Sequence, residues 1–408
     1  MAITLCTLTD DEWDPWYDTL EVAFGETMAL GERSHDRALI EVERSFGMRE
    51  GGAWVATAGA HSFGLTVPGG ALLPTAAVTF VCVLPTHRRR GLLRAMMRHQ
   101  LDDVHARGEA VAALTASEPA IYGRFGYGAA TQTASLALDT WRVPLTPPPA
   151  AADVRLRLVD PVAALDVCGE LATRLLPSRP GMLARGPAWR QVPVFDPEHR
   201  RAGASPLRCV LAEAGGEVVG YARYAVRPAR DEAGHTGTVQ VREVTAAGPA
   251  GYGALWRFLF GVDLTTRVEV ADRPLDDPLL LMVDDVRSCR VTVREKLFVR
   301  LVDVGAALAA RAYAAPVDVV LAVADDFCPW NARRWRLSAD GGGAVCEPSD
   351  APADLSLTAR DLAAAYLGGT SLRSLAGAGR VVQERAGALA AASAAFASQT
   401  VPWTPFSF

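Results

Sequence analysis

Four consecutive residues, Arg88-Arg89-Arg90-Gly91, combine charge and backbone freedom in a way that suits chemistry on an anion. They follow the apolar run Val78–Leu84. They precede a segment in which Leu93, Met96, Met97, Gln100, Leu101 and Val104 recur at helical spacing. A basic, glycine-bearing turn between a buried strand and a helix offers an anion several contacts. The first amides of a helix have no intrahelical partner. Glycine lets a phosphate approach the backbone closely, and arginines add charge-assisted hydrogen bonds. The turn therefore predicts a phosphate-bearing ligand, with a solvated basic turn as the alternative. No G-x-x-x-x-G-K-S/T string occurs, which excludes a P-loop. No G-x-G-x-x-G follows a strand, which weighs against a dinucleotide site.

Other residues with useful chemistry lie nearby. Tyr122 carries a phenol whose free pKa of about 10 keeps it protonated at neutral pH. It fits a proton donor, or equally an aromatic packing residue beside Phe125 and Tyr127. Glu118 fits a first-turn acid that complements a helix dipole. Cys82 lies inside the apolar run and reads as strand packing. Residues 10–26 hold seven acids and no base, which reads mostly as a solvated helix face. The seven histidines show no H-E-x-x-H and no ligand spacing, so no metal is expected.

Several elements must position these groups. Thr9 and Glu12 have capping-box spacing and predict a helix start. Residues 53–67 read as two short strands, and Pro68-Gly69-Gly70 as a turn. A strand is expected at Val111–Ala116, then a helix start at Ser117-Glu118-Pro119. Pro147-Pro148-Pro149 and three alanines read as a linker. The order then repeats loosely. Strands are expected at Arg208–Leu211, Val218–Tyr224 and Val239–Val244, with a helix at Gly251–Phe260. In this copy Ala246-Ala247-Gly248-Pro249 stands where the first has its arginines, so the second turn is degenerate. A third region begins near residue 292, with a strand at Leu297, Val299 and Leu301. Helical stretches follow at 304–314, 359–367 and 383–398, with strands near 317–323 and 354–358. The expected division is 1–148, 149–291 and 292–408, in an α/β fold with mixed sheets. Termini are commonly frayed and polar, yet this chain ends in Trp403, Phe406 and Phe408 with Pro402 and Pro405. Such a tail reads as one that packs on a neighbouring domain.

Composition bounds the partners. The chain has 408 residues, 50% hydrophobic and 21% charged, which is ordinary for a globular protein. Net charge is −5 and no long basic tract occurs, which argues against nucleic acid as the main partner. Lys296 is the single lysine. No window approaches the ~20 apolar residues of a membrane span, and the acids at 10–14 stand where a signal peptide needs an apolar stretch. Seven scattered cysteines without a C-x-x-C pair argue for a reduced, cytoplasmic location.

The string Pro85-Thr86-His87-Arg88-Arg89-Arg90-Gly91-Leu92-Leu93-Arg94-Ala95-Met96 is more specific. Together with Ser117-Glu118 and Ile121-Tyr122-Gly123-Arg124-Phe125-Gly126-Tyr127-Gly128, it resembles the enhanced intracellular survival (Eis) family of aminoglycoside N-acetyltransferases, within the GCN5-related superfamily. The resemblance covers the whole chain, including the degenerate repeat and the terminal Phe406-Ser407-Phe408. It implies two tandem acetyltransferase-like domains and a C-terminal sterol-carrier-protein-like domain, usually assembled as a hexamer. It also implies acetyl-CoA as co-substrate. The backbone of Phe80, Val81, Cys82 and Val83 would pair with the pantetheine arm. Arg88, Arg89, Arg90, Gly91, Leu92, Leu93 and Arg94 would hold the pyrophosphate, with Ser117 and Glu118 bordering it. Tyr122 takes the general-acid position, and the carboxylate of Phe408 that of the general base. Phe24 and Glu26 align with positions that contact a cationic amine. Where relatives often carry an acid before the final Phe this chain has Ser407, and Thr115 stands where relatives can have His. Two alternatives remain open at this level: acetylation of protein lysines, and a non-catalytic lipid- or CoA-binding protein.

Overall fold

The computed structural model describes residues 2–408. Three mixed sheets organise the chain. The first runs, in spatial order, Ile3–Thr7, Phe46–Glu50, Ala53–Thr66, Leu72–Val83, Val111–Thr115, Leu297–Leu301 and Gly128–Ala129. The second runs Thr292–Glu295, Gln132–Asp139, Thr265–Arg273, Gly237–Ala246, Glu217–Arg227, Arg208–Ala214 and Arg155–Val159. The third, smaller sheet is built from residues 317–383. Each sheet contains a single parallel pair. A parallel pair needs a crossover connection, and in the first two sheets the helices Leu92–Ala106 and Pro249–Phe260 supply it. The apolar faces of these helices are buried in separate cores, Met97, Leu101 and Val104 in the first and Leu255, Trp256 and Leu259 in the second.

The two large sheets exchange a strand. Gln132–Asp139 leaves the first unit and joins the second sheet, beside Thr265–Arg273. Leu297–Leu301 returns from beyond the second unit and lies antiparallel to Val111–Thr115 in the first. The divisions at 148 and 291 expected from the sequence do not coincide with the sheets.

Two local expectations change. Residues 53–66 form one strand, not two, with a register shift between Thr57 and Gly59 that bends it. The helix expected at Thr9 begins as a 3-10 turn, Asp10–Glu12, and becomes α-helical only at Trp13. The capping box does not form, because the Glu12 carboxylate is taken by Arg49. The acids of this helix are not simply solvated either. Asp10 pairs with Arg37, and Asp14, Asp18 and Glu21 surround Arg33.

The returning strand brings a buried charge with it. Arg300 is 0% and Asp325 2% exposed at the side chain, and Arg300 Nη2 donates to Asp325 Oδ2 at 2.6 Å. Asp325 also accepts from the amides of Phe327 and Cys328 and from Asn331 Nδ2. Gly126 has φ +85°, and a Cβ there would sit 2.6 Å from the Arg300 Cζ, so the residue must be glycine on both counts. Breaking such a pair leaves an uncompensated buried charge and costs about 3–5 kcal/mol. Asp325→Ala is therefore expected to lower the urea midpoint by that equivalent, and an unchanged midpoint would contradict it.

The aromatic tail docks, as its composition predicts. Arg179 Nη1 donates to Val401 O at 2.6 Å, and Trp403 Nε1 to Asp272 O at 2.7 Å. Lys296 Nζ holds Ser407 Oγ at 2.8 Å while paired with Asp272.

Candidate active site

The pairing of Leu72–Val83 with Val111–Thr115 covers only Thr75 to Ala77 and then stops. Phe80, three residues further on, marks a kink in the first of these strands. Its φ is +54°, a left-handed kink inside a strand, and its carbonyl is diverted to Thr57 Oγ1 at 2.6 Å. Beyond the kink the edge of Val81–Val83 that would face Val111–Thr115 is unpaired, although the other edge still pairs with Ala53–Thr66. Cys82 is buried, with its sulfur 3.0 Å from Thr57 Oγ1, and burial pushes the thiol pKa up. That is an inert environment for a nucleophile.

At the end of this open edge lies the arginine turn. Arg89 has φ +61° and Gly91 φ +83°, bracketing Arg90 between two left-handed residues. Gly91 is the N-cap of Leu92–Ala106 and supplies no side-chain cap. A Cβ on Gly91 would meet no protein atom within 4 Å, so the backbone there is open. Such concave backbone at a helix start binds anions.

The splayed strands, the turn and the short helix Pro119–Tyr122 enclose a trough of about 780 Å³. Val81, Cys82, Val83, Arg88, Arg89, Gly91, Leu92, Leu93, Arg94, Ser117 and Glu118 all line it. Two expected members do not. The Arg90 side chain turns away to Glu50 at 3.0 Å, where His87 also binds. Phe80 lines the neighbouring chamber instead.

That chamber, about 360 Å³, adjoins the trough, and Phe24, Val81, Ser117, Glu118, Ile121 and Tyr122 line both. The two differ sharply in charge. The trough is lined by His87, Arg88, Arg89, Arg94 and Arg124. The chamber has Glu21, Glu26, Asp36 and Glu118, and no basic side chain. Burial pushes the Asp36 carboxyl above the usual carboxylate range, against the hydrogen bond it accepts from Tyr17 Oη at 2.5 Å. Tyr122 stands where chamber and trough meet. Burial, and then the nearby Glu118 carboxylate, push its phenol up to about 12. Tyr127, its ring 5.9 Å from that of Tyr122, is wholly buried with no partner for its hydroxyl, a packing position.

Phe408 also lines the chamber. Its ring packs against Phe63 at 5.4 Å, and Thr115 Oγ1 donates to its terminal oxygen at 3.5 Å. The fold thus brings residues 24, 26, 122 and 408 to one cleft. Tyr17, Glu21, Asp36 and Thr79 line it too, and the sequence reading did not place them there. Among the described residues no group of three or more His, Cys, Asp or Glu side chains could hold a metal ion. No helix there is long and apolar enough to cross a membrane.

Comparison with known proteins accounts for this architecture. Acetyltransferase (GNAT) domain models match residues 5–130 and, separately, 181–301. A sterol carrier protein domain model matches 304–405. The fold is that of two tandem GNAT domains followed by a sterol carrier protein domain. The N-acetyltransferase Eis of Mycobacterium tuberculosis is 34% identical, with all of both chains aligned. An N-acetyltransferase of Streptomyces avermitilis is 54% identical, again over the full length of both. The crystal structure of Eis1 from Mycobacterium abscessus superposes with a TM-score of 0.84 at 33% identity, covering all of both chains. The chain belongs to the Eis-like family of N-acetyltransferases.

Proposed function

We propose that the protein transfers the acetyl group of acetyl-CoA to an amine of a polycationic small molecule of aminoglycoside or polyamine type. One observation carries this reading: an acidic chamber without a single basic side chain opens onto a basic trough, and Tyr122 stands at the junction. An acidic, aromatic chamber concentrates a multiply charged amine. The trough suits a long ligand with phosphates at one end. The unpaired backbone of Val81–Val83 would receive the pantetheine amides. The amides of the turn, with Arg88, Arg89 and Arg94, would hold the pyrophosphate.

In this reading Glu26 and Phe24 orient the ammonium group at the chamber mouth. The Phe408 carboxylate, held by Thr115, draws the proton from the amine. A free α-carboxyl has a pKa of about 3.3–3.7, so it acts through a water and beside Glu118 and Asp36. The neutral nitrogen attacks the thioester carbonyl, a C–N bond forms and the C–S bond breaks. Tyr122 supplies a proton toward the departing sulfur. A thiol-release assay tests the whole scheme with an aminoglycoside, spermidine and a lysine peptide as acceptors. CoA release with the first two is expected. No release with any amine would overturn the proposal.

The turn can be tested separately. Arg89→Glu places a carboxylate where the pyrophosphate would sit. A charge-assisted hydrogen bond contributes about 1.5–3 kcal/mol. The KM for acetyl-CoA is therefore expected to rise about tenfold or more, with circular dichroism unchanged. An unaltered KM would remove the turn from the site.

The family resemblance also leads us to propose a homohexamer. Trp141 is 69%, Leu281 91% and Val293 50% exposed on the second unit, apolar surface suited to contact with another copy. Light scattering at micromolar concentration is expected to give about six chain masses, and a monomer mass would refute assembly.

A further inference from the structure

The second unit keeps the plan of the first strand for strand. Arg208–Ala214, Glu217–Arg227, Gly237–Ala246 and Thr265–Arg273 occupy the places of Phe46–Glu50, Ala53–Thr66, Leu72–Val83 and Val111–Thr115. The helix Leu165–Leu175 packs on Glu217–Arg227 as Trp13–Phe24 packs on Ala53–Thr66. Its phosphate turn is lost, with Ala246-Ala247-Gly248-Pro249 in place of the arginines. The space beneath its helix is not lost. It is a cleft of about 710 Å³, larger than the acidic chamber that it parallels.

The polarity of this cleft is reversed. At its deep end Arg223, 3% exposed, donates through Nη1 to Glu243 Oε2 at 2.5 Å, and Tyr221 Oη donates to Glu243 Oε1 at 2.5 Å. Both oxygens of the one deep carboxylate are thereby committed. The buried Nε of Arg223 has no partner. Beside this group stands Arg185. It makes no hydrogen bond or ion pair among the described residues, and its guanidinium lies 4.2 Å above the ring of Phe406. Burial pushes its pKa down, against the pull of Glu243 and Tyr221. The other charges of the cleft do not relieve it. Asp166 pairs with Arg190, and Glu170 and Arg174 are exposed. The deep end therefore carries one cation more than its carboxylates match. A half-buried guanidinium with an unfilled donor fork suits the two oxygens of a planar or tetrahedral anion. Leu165, Leu183, Trp189 and Pro193 add an apolar wall.

We propose that the cleft of the second unit is a ligand site for a small oxyanion with an apolar body, its carboxylate or phosphate held by Arg185. The site is separate from the acetyl-transfer cleft, since the two share no lining residue.

Benzoate, inorganic phosphate and neutral benzamide serve as probes on the full-length enzyme, read by thermal unfolding. Benzoate is expected to raise Tm saturably and benzamide to leave it unchanged. A phosphate effect equal to that of benzoate would mean that the oxyanion alone is recognised and would overturn the apolar half of the proposal. The arginine turn is the rival anion site, so the rise is expected to survive Arg89→Glu and to vanish in Arg185→Met. The reverse pattern would overturn the assignment. A second measurement needs no variant: benzoate should slow phenylglyoxal modification of the Arg185 peptide several-fold, read by mass spectrometry. Equal modification with and without benzoate would also overturn it.

Discussion

An enzyme extended by even one residue beyond Phe408 is expected to lose about 10²-fold in kcat while its KM for acetyl-CoA stays unchanged. The tail is held at several points before it reaches the chamber: Arg179 on Val401, Asp272 on the Trp403 indole, and Lys296 on Ser407. The last residue is then fixed by its ring on Phe63 and by Thr115 on its terminal oxygen. Extension turns that carboxylate into an amide, which no longer accepts a proton at neutral pH. Deleting Phe408 is a different injury with a similar outcome. It leaves a carboxylate on Ser407, retracted by roughly 3.3–3.6 Å of chain, and a misplacement of about 1 Å costs on the order of 10²-fold. Phe408→Ala keeps the carboxylate and removes only the ring, so its loss is expected to be the smallest of the three. The trough lies on the other side of Tyr122, so none of these changes touches the arginine turn proposed to hold the phosphates. Full kcat in an extended enzyme, verified intact by mass spectrometry, would remove the carboxylate from the reaction.

The sequence revealed the parts of this site whose chemistry is local. The arginine turn is contiguous, bounded by an apolar run and a helical period, and it folds as that pattern requires. The fate of each arginine was not legible. Three adjacent arginines look alike in sequence, but left-handed backbone at Arg89 and Gly91 sends Arg90 toward Glu50, forty residues earlier. The strand exchange was illegible for a related reason. Leu297–Leu301 reads correctly as a strand while Gln132–Asp139 was not singled out, and nothing in a strand's own pattern states which sheet it joins. The same holds for the amine side of the site. Glu21 belongs to what reads as a solvated acidic helix face, and Asp36 lies beyond it on the next helix with no sequence signal of its own. Only the packing of Leu30–Leu39 near Trp13–Phe24 turns Asp36 inward, onto the Tyr17 hydroxyl. The third sheet was half seen. Its strand Arg334–Asp340 alternates exposed arginine with buried Trp335, Leu337 and Ala339, a period-two signal hidden among Gly- and Ala-rich neighbours.

Tyr122→Phe is expected to lower kcat about 10²-fold and to leave the fold unchanged, because the ring keeps its contact with Tyr127. General acids contribute about 10²–10⁴-fold and work best when their pKa lies near the working pH. Tyr122 does not meet that condition. Its phenol is pushed up to about 12, well above a free thiol at about 8.5. Outright transfer to a free thiolate is uphill, so in the proposed role the donor would act mainly by stabilising charge as it builds on sulfur. The expected loss therefore falls at the low end of that range. The same displacement fixes the pH behaviour. A phenol raised from 10 to about 12 stays protonated throughout the range below its shifted value, so an alkaline decline of kcat near pH 10 cannot come from Tyr122. If such a decline exists, it should persist in Tyr122→Phe at its lower rate. The KM for acetyl-CoA should change little, because the proposed binding rests on the turn and the open strand edge. A Tyr122→Phe enzyme with wild-type kcat, or one whose alkaline limb disappears with the hydroxyl, would remove Tyr122 from this role.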